Sequence, residues 1–220
     1  MQPDTRIVVL ISGSGSNLQA LLDQSKSTAF PGSIVGVISD QPDAFGLQRA
    51  ADSDVPTTVV ERSDFDSRDA FDAALARAVI DFDPDLIVLA GFMRIIRGAL
   101  IDQFAGRMLN IHPALLPKYK GLNTHERCLE NGDVSHGTTV HFVSAELDAG
   151  PSVIQAQLIV SPADTAQTLT SRVQAMEHVI YPIAVRWLAE GRLRCEGDRV
   201  FMDGEPLNEP VIASDHDLLS

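Results

Sequence analysis

Apolar residues in this chain follow two rhythms. Short apolar runs at Arg6–Ile11 and Leu86–Ala90 read as buried strands, and Ser33–Ser39 and Pro56–Val60 as two further strands. Between them the spacing becomes helical. Leu18, Leu21 and Leu22 recur at helical intervals, and Ala44–Ala51 fits a short helix. Arg68–Phe82 carries Ala70, Phe71, Ala74, Leu75, Ala78 and Val79 on one stripe, with Asp66-Ser67 as its cap and Asp83-Pro84 as its stop. Strands alternating with helices predict a doubly wound, mostly parallel α/β sheet. Further on, Leu100–Phe104 reads as a helical link, Met108–Ile111 as a short strand and Thr124–Leu129 as a helix. Gly137–Val143 and Val153–Val160 read as strands joined by one loop, an antiparallel hairpin at the sheet edge. A long helix capped by Asp164 and kinked at Pro182 runs to about Ala189. Leu193–Cys195 and Arg199–Met202 close as a second hairpin. The expected organisation is one domain over 1–205, then a polar, loosely held tail over 206–220.

Composition narrows the possibilities. With 220 residues, 45% hydrophobic and 21% charged, the chain can bury a sizeable core. Its net charge of −13 argues against general nucleic-acid or membrane-surface binding but leaves room for an anionic small molecule held by local donors. Cys128 and Cys195 form no CxxC pair, which fits a reducing compartment. No apolar run is long enough to span a membrane, and Arg6 leads straight into a strand with no signal peptide before it, so a cytoplasmic protein is expected. There is no repeat and no metal-spaced His/Cys cluster.

Five stretches carry candidate chemistry. Ser12-Gly13-Ser14-Gly15-Ser16-Asn17 links a strand to a helix, the place where backbone N–H groups hold phosphates. It lacks the third glycine of a dinucleotide fingerprint and the lysine of a Walker loop, so a monophosphate site and a plain capped turn are the two readings. On the strand Met108–Ile111, Asn110 points to the same side as the following His112, which Pro113 holds extended. A carboxamide and an imidazolium are both donors, suited to an oxygen that becomes negative during acyl transfer; a turn histidine and a strand asparagine are the plainer reading. Gly91-Phe92-Met93-Arg94-Ile95-Ile96 ends a strand with apolar bulk, either the wall of a flat ligand or core packing. Asp148 stands on the turn before Ala149-Gly150-Pro151; a carboxylate beside an imidazole favours the cation, if the two meet. Gln174, Glu177 and His178 share a helix face that by default reads as solvated.

Together these stretches resemble the folate-dependent formyltransferases that act on glycinamide ribonucleotide. The carrying segments are Ile11–Leu18, Ala90–Ile95, Leu109-Asn110-Ile111-His112-Pro113 with Leu115-Leu116-Pro117, and His136–Phe142 through Leu147–Pro151. The likeness extends to about residue 205; Ala145 and Ser152 depart from the family pattern away from the chemistry. The resemblance implies a Rossmann-like phosphate-binding half (1–105), a catalytic and folate-binding half (106–205), and a formyltransferase fold. It implies catalytic roles for Asn110, His112 and Asp148. It implies substrate binding by Gly15, Ser16, Asn17, Gln174, Ala175, Met176 and Glu177, which replaces the solvated-stripe reading. Folate binding falls to Arg68, Met93, Arg94, Ile95, Ile96 and Asn110, with Ser144, Ala145, Glu146, Leu147 and Asp148.

The implied reaction moves a formyl group from 10-formyltetrahydrofolate, as co-substrate, to the glycyl amine of the ribonucleotide in purine synthesis, with no metal. Asn110 and protonated His112 would donate to the oxyanion, and Asp148 would keep His112 protonated and help move the amine proton. The partners are small molecules, with no nucleic acid and no membrane, in a monomer or homodimer. A formyltetrahydrofolate hydrolase would use water as acceptor and carry a further N-terminal domain. A methionyl-tRNA formyltransferase would need a further C-terminal domain and basic surface. A phospholigand-binding module would use only the glycine-rich loop.

Overall fold

The computed structural model describes residues 4–213. In chain order the elements are β1 (Thr5–Ile11), α1 (Ser16–Ser25), β2 (Gly32–Ser39), α2 (Phe45–Ala51), β3 (Thr57–Val59), α3 (Arg68–Ile80), β4 (Leu86–Leu89), α4 (Ala99–Gln103), β5 (Met108–His112), α5 (Thr124–Glu130), β6 (Ser135–Phe142), β7 (Ser152–Ile159), α6 (Ala166–Ala189), β8 (Leu193–Glu196), β9 (Arg199–Met202), β10 (Glu205–Leu207) and β11 (Val211–Ile212). One sheet has the order β11-β7-β6-β5-β4-β1-β2-β3, and β10-β9-β8 form a small second sheet. Pairing is parallel from β3 through to β5, antiparallel for β5-β6 and β6-β7, and parallel again for β7-β11.

Alternation explains the unbroken apolar runs of β1 and β4. Ile7, Val9 and Ile11 of β1 enter a core shared with Leu18 and Leu22 of α1 and Ile180 and Ala184 of α6. Val8 and Leu10 enter the opposite core, with Phe71, Leu75 and Val79 of α3. Both faces are covered, so no position in the run tolerates a polar side chain. Each fully buried Val, Leu or Ile contributes about 1.5–3 kcal/mol. Tyr181 of α6 is fully buried, and its hydroxyl lies 2.7 Å from the carbonyl oxygen of Leu89 and 3.0 Å from that of Leu109. It thereby pins α6 across the ends of β4 and β5.

The chain moves outward through β2 and β3 on one side of β1, then returns to place β4 on the other. Strand order reverses between β1 and β4, and open α/β sheets bind ligands beyond the carboxyl ends of their strands at such a point. The boundary expected near residue 105 falls between β4 and β5, which are hydrogen-bonded neighbours in one sheet.

Three expectations change. Thr165, not Asp164, caps α6: its hydroxyl accepts from Thr168 N–H while the Thr168 hydroxyl accepts from Thr165 N–H. Asp164 instead accepts from Ser161 N–H and pairs with Arg172, which orders the preceding turn. The β6-β7 hairpin is not the sheet edge, because Val211 and Ile212 pair with Ile154 and Gln155 outside it. The expected tail from 206 is accordingly structured as far as the description reaches. Glu205–Leu207 pair with β9, β11 joins the main sheet, and Ala213 is buried. A strand pairs through its main chain whatever the polarity of its side chains, so polar composition hid these partners. Residues 214–220 of that tail lie outside the described residues.

Candidate active site

The loops after β1, β4 and β5 open into two joined cavities. One, about 310 Å³, is lined by Ser12–Asn17, Ala90, Gly91, Thr170, Gln174 and Glu177. The other, about 500 Å³, is lined by Phe92, Arg94, Asn110, His112, Leu122, Leu147 and Asp148 among others. A side pocket of about 70 Å³ adds Ile96, His141, Ser144 and Glu146 to the second wall.

The smaller cavity opens on the start of α1. Gly15 takes a φ of 70°, and a Cβ there would come within 2.6 Å of the Gly46 Cα. No side chain caps α1, so the N–H groups of its first turn remain for a ligand, at the positive end of the helix dipole. Arg49 fixes the loop from outside: its Nε–H donates to the Ser14 carbonyl at 2.9 Å and its Nη1 to Gln19 Oε1 at 3.0 Å. Two bonds tie α1 to α6. Gln174 Nε2 donates to Ser16 Oγ at 2.8 Å, and Asn17 Nδ2 donates to Glu177 Oε2 at 2.8 Å. Glu177 is 7% exposed, and burial pushes its carboxyl up to about 6 against the pull of the Asn17 and Thr138 hydrogen bonds. Asn17 Oδ1 is buried without a protein partner. The cavity therefore offers anion-binding N–H groups at one end and amide and carboxyl acceptors along the side.

Strand alternation brings Asn110 and His112 to one side, and the turn after β6 brings Asp148 over them. Gly150 allows this closure, since a Cβ there would overlap the Phe142 carbonyl oxygen at 1.9 Å. Asp148 itself takes a φ of 46°. Its Oδ2 accepts from Gly121 N–H at 2.9 Å and lies 3.4 Å from His112 Nδ1. His112 Nε2 is 2.9 Å from the Tyr119 carbonyl, so that nitrogen carries a proton and donates. With Nε2 committed to the Tyr119 carbonyl, Nδ1 is the nitrogen that faces Asp148 and the cavity, at a separation longer than a charge-assisted hydrogen bond. Asn110 is oriented by His141, its register partner across β5-β6. His141 Nδ1–H donates to the Phe142 carbonyl at 2.8 Å, so its Nε2 accepts from Asn110 Nδ2 at 3.1 Å. Burial lowers the His141 pKa below the usual histidine value, consistent with a neutral acceptor. An amide nitrogen has two hydrogens, so the second remains for a ligand.

The wall of the larger cavity is apolar and set from behind. Met93, 67% exposed, Leu122, 74% exposed, and Leu147, 46% exposed, surround its mouth, an arrangement suited to a flat ring. Arg68 lines none of the cavities; its Nη2 donates to the Ile95 carbonyl while Nε holds Asp72. Asp40, 1% exposed, joins the two walls: Oδ1 accepts from Ser12 Oγ at 2.5 Å and Oδ2 from Arg94 Nε at 2.7 Å. Ser12 Oγ in turn accepts from Met93 N–H at 2.8 Å.

Gly15, Ser16, Asn17, Gln174 and Glu177 thus meet in one cavity, and Met93, Arg94, Ile95, Asn110 and Asp148 in the other, with Ile96, Ser144 and Glu146 at the side pocket. Ala175 and Met176 do not join them: Ala175 is exposed and Met176 enters the core, since helix positions between i and i+3 face elsewhere. Ala145 is exposed beside the side pocket. Asp40, His125, His141 and Thr170 were not singled out in the sequence. A histidine within the strand Gly137–Val143 was the one local signal for His141. No group of His, Cys, Asp and Glu arranged for a metal ion, and no helix long and apolar enough to cross a membrane, occurs among the described residues.

An anion seat at a helix start, joined to an apolar slot holding oriented amide and imidazole donors, defines a class: an acyl-transfer site for two small molecules on a doubly wound sheet. The comparisons narrow it. The formyl transferase family model matches residues 5–185. The phosphoribosylglycinamide formyltransferase of Escherichia coli (strain K12) is 49% identical over 209 residues, covering 95% of this chain and 99% of that one. The phosphoribosylglycinamide formyltransferase of Coxiella burnetii, solved in complex with CHES, is 47% identical with a TM-score of 0.91, covering 96% of this chain and all of that one. The human trifunctional purine biosynthetic protein adenosine-3 is 42% identical over 189 residues, 86% of this chain and 19% of that protein. The chain belongs to the formyl transferase family, on its phosphoribosylglycinamide formyltransferase branch, and is a formyltransferase of purine biosynthesis.

Proposed function

We propose that this enzyme takes the formyl group from 10-formyltetrahydrofolate and passes it to the glycyl amine of glycinamide ribonucleotide. The observation that carries the reading is the joining of the two cavities: the anion seat of α1 opens into the slot that holds Asn110, His112 and Asp148. The phosphate sits on the N–H groups of Gly15, Ser16 and Asn17, and Gln174 and Glu177 hold the sugar side. The folate ring lies against Met93, Arg94, Ile95 and Leu147, with Arg68 supporting that wall through the Ile95 carbonyl. The amine attacks the formyl carbon, and the oxygen becomes an oxyanion. Asn110 donates to it from the amide hydrogen that His141 leaves free; one such donor is worth roughly 10²–10³ in rate. His112 shares its Nδ1–H between that oxygen and Asp148, and the pair carries a proton toward the leaving folate nitrogen. The free cysteines Cys128 and Cys195 fit the reducing cytoplasm as its location.

The test is an absorbance assay of folate release with 10-formyltetrahydrofolate, with and without glycinamide ribonucleotide. Release that depends on the ribonucleotide is the expected result. Equal release without it identifies a hydrolase, and binding with no release in either case identifies a ligand-binding module.

A further inference from the structure

Five residues line both cavities: Gly91, Met93, Ile111, Pro113 and His125. Of these, only His125 has an ionisable side chain. On the function proposed above, on which this inference rests, the amine and the formyl carbon meet at that junction. An imidazole therefore stands beside the reacting atoms that Asn110, His112 and Asp148 leave unused.

The ring is held in place. His125 Nδ1 lies 3.0 Å from Nε2 of His136, and the two rings meet edge to face at 5.1 Å. His136 is 1% exposed and packs in turn against the Tyr119 ring. Two imidazoles this close share one proton, one ring donating and the other accepting. With Nδ1 occupied, the nitrogen that His125 has left for a ligand is Nε2. Burial and the neighbouring ring push His136 down to about 4, and burial also lowers His125 below the usual histidine value. The other groups facing His125 are Glu126 beside it on α5, which opposes the lowering, and His112 on β5, which adds to it. Glu177 of α6 faces it across the smaller cavity. With His125 Nδ1–H as the donor to His136 Nε2, Nε2 of His125 keeps its lone pair and the neutral ring is a base.

The substrate needs one. Free α-amino groups have pKa values of about 7.7–8.0, so the glycyl amine arrives at neutral pH mostly as an ammonium ion with no lone pair to attack with. We propose that His125 is the catalytic base that removes this proton, with His136 as the positioning residue that holds its ring. An N–H bond of the ammonium breaks, its electron pair stays on nitrogen as the attacking lone pair, and an Nε2–H bond forms. The imidazolium stands beside Glu126 and releases its proton to solvent, since His125 is only partly buried. The second amine proton, lost as the amide forms, goes to the leaving folate nitrogen by way of His112 and Asp148. Ammonium and formylfolate thus become formamide, deformylated folate and one released proton.

The test measures initial transfer rates of the intact enzyme with both substrates across pH, for His125→Ala and His125→Gln. The expected loss in kcat at neutral pH is about 10-fold, because about a tenth of the amine is then free without a base, with little change in either KM. Added imidazole restores the rate of His125→Ala. Its remaining rate rises with pH until the substrate amine itself ionises, at about 7.7–8.0, whereas the wild-type rate levels off at lower pH. His136→Gln lowers kcat less. Near-wild-type kcat in both His125 variants overturns the proposal. So does a loss that imidazole does not restore and that leaves the pH profile unmoved. If His125→Ala does not fold, the nearly isosteric His125→Gln, which cannot ionise, decides through its pH profile. A wild-type enzyme that transfers nothing to the ribonucleotide overturns the proposed function and this inference with it; a competent enzyme indifferent to His125 overturns the inference alone.

Discussion

Glu177→Gln is expected to stabilise the fold while weakening the seat of the ribonucleotide. Glu177 is 7% exposed, and its carboxyl titrates at about 6 in the fold against 4.5 in an unfolded chain. The folded protein binds this proton more tightly than the unfolded chain does. Stability therefore falls as pH rises from 4.5 to about 6 and then stays level. At 1.36 kcal/mol for each pH decade, the ionised carboxylate costs the fold about 2 kcal/mol near pH 8. Glutamine cannot ionise, yet its carbonyl oxygen can still accept from Asn17 Nδ2. The variant should match the wild type near pH 4 and exceed it by about 2 kcal/mol near pH 8, a rise in Tm of about 4–8 °C for a chain of this size. The assay is thermal or urea unfolding of both proteins, without ligand, across that range. A stability difference of either sign that stays constant with pH refutes the reasoning, because only titration of this carboxyl makes the two curves diverge. In parallel, KM for the ribonucleotide should rise, since an anionic acceptor has become a neutral one in the cavity.

Asn110→Ala should lose roughly 10²–10³ in kcat with little change in either KM, measured by the folate-release assay. Asp40→Ala removes the carboxylate that ties Ser12 to Arg94, so both KM values should rise together; a change in one KM alone would show that Asp40 does not join the two walls. Tyr181→Phe leaves the Leu89 and Leu109 carbonyls without their hydroxyl partner and should cost about 1–3 kcal/mol in urea unfolding. Because Tyr181 touches neither cavity, kcat should stay near the wild-type value.

What could be read from the chain was what short-range geometry determines. The strand runs of β1 and β4 are legible because burial on both faces leaves an unbroken apolar signature. Asn110 and His112 share a side because side chains on a strand alternate, and the glycine-rich loop announces the start of α1. Asp148 is legible as a turn residue, but its approach to His112 depends on how the β6-β7 connection folds back, which no local pattern encodes. His141 is the same case: Asn110 and His141 meet only through the antiparallel register of β5 and β6.

Helix α6 shows the limit from the other direction. Its polar stripe at Gln174 and Glu177 has the spacing of a solvated face, and by pattern alone that reading wins. The residues are instead turned inward because α6 packs against α1, where Ser16 and Asn17 stand opposite them. The resemblance brought these positions in as an unbroken segment. Helical periodicity separates them again, keeping Gln174 and Glu177 at the cavity and sending Met176 to the core and Ala175 to the surface. The same packing that makes Glu177 useful to a ligand makes its charge expensive to the fold, so the pH dependence of the Glu177→Gln difference reports on the burial that no sequence pattern could supply.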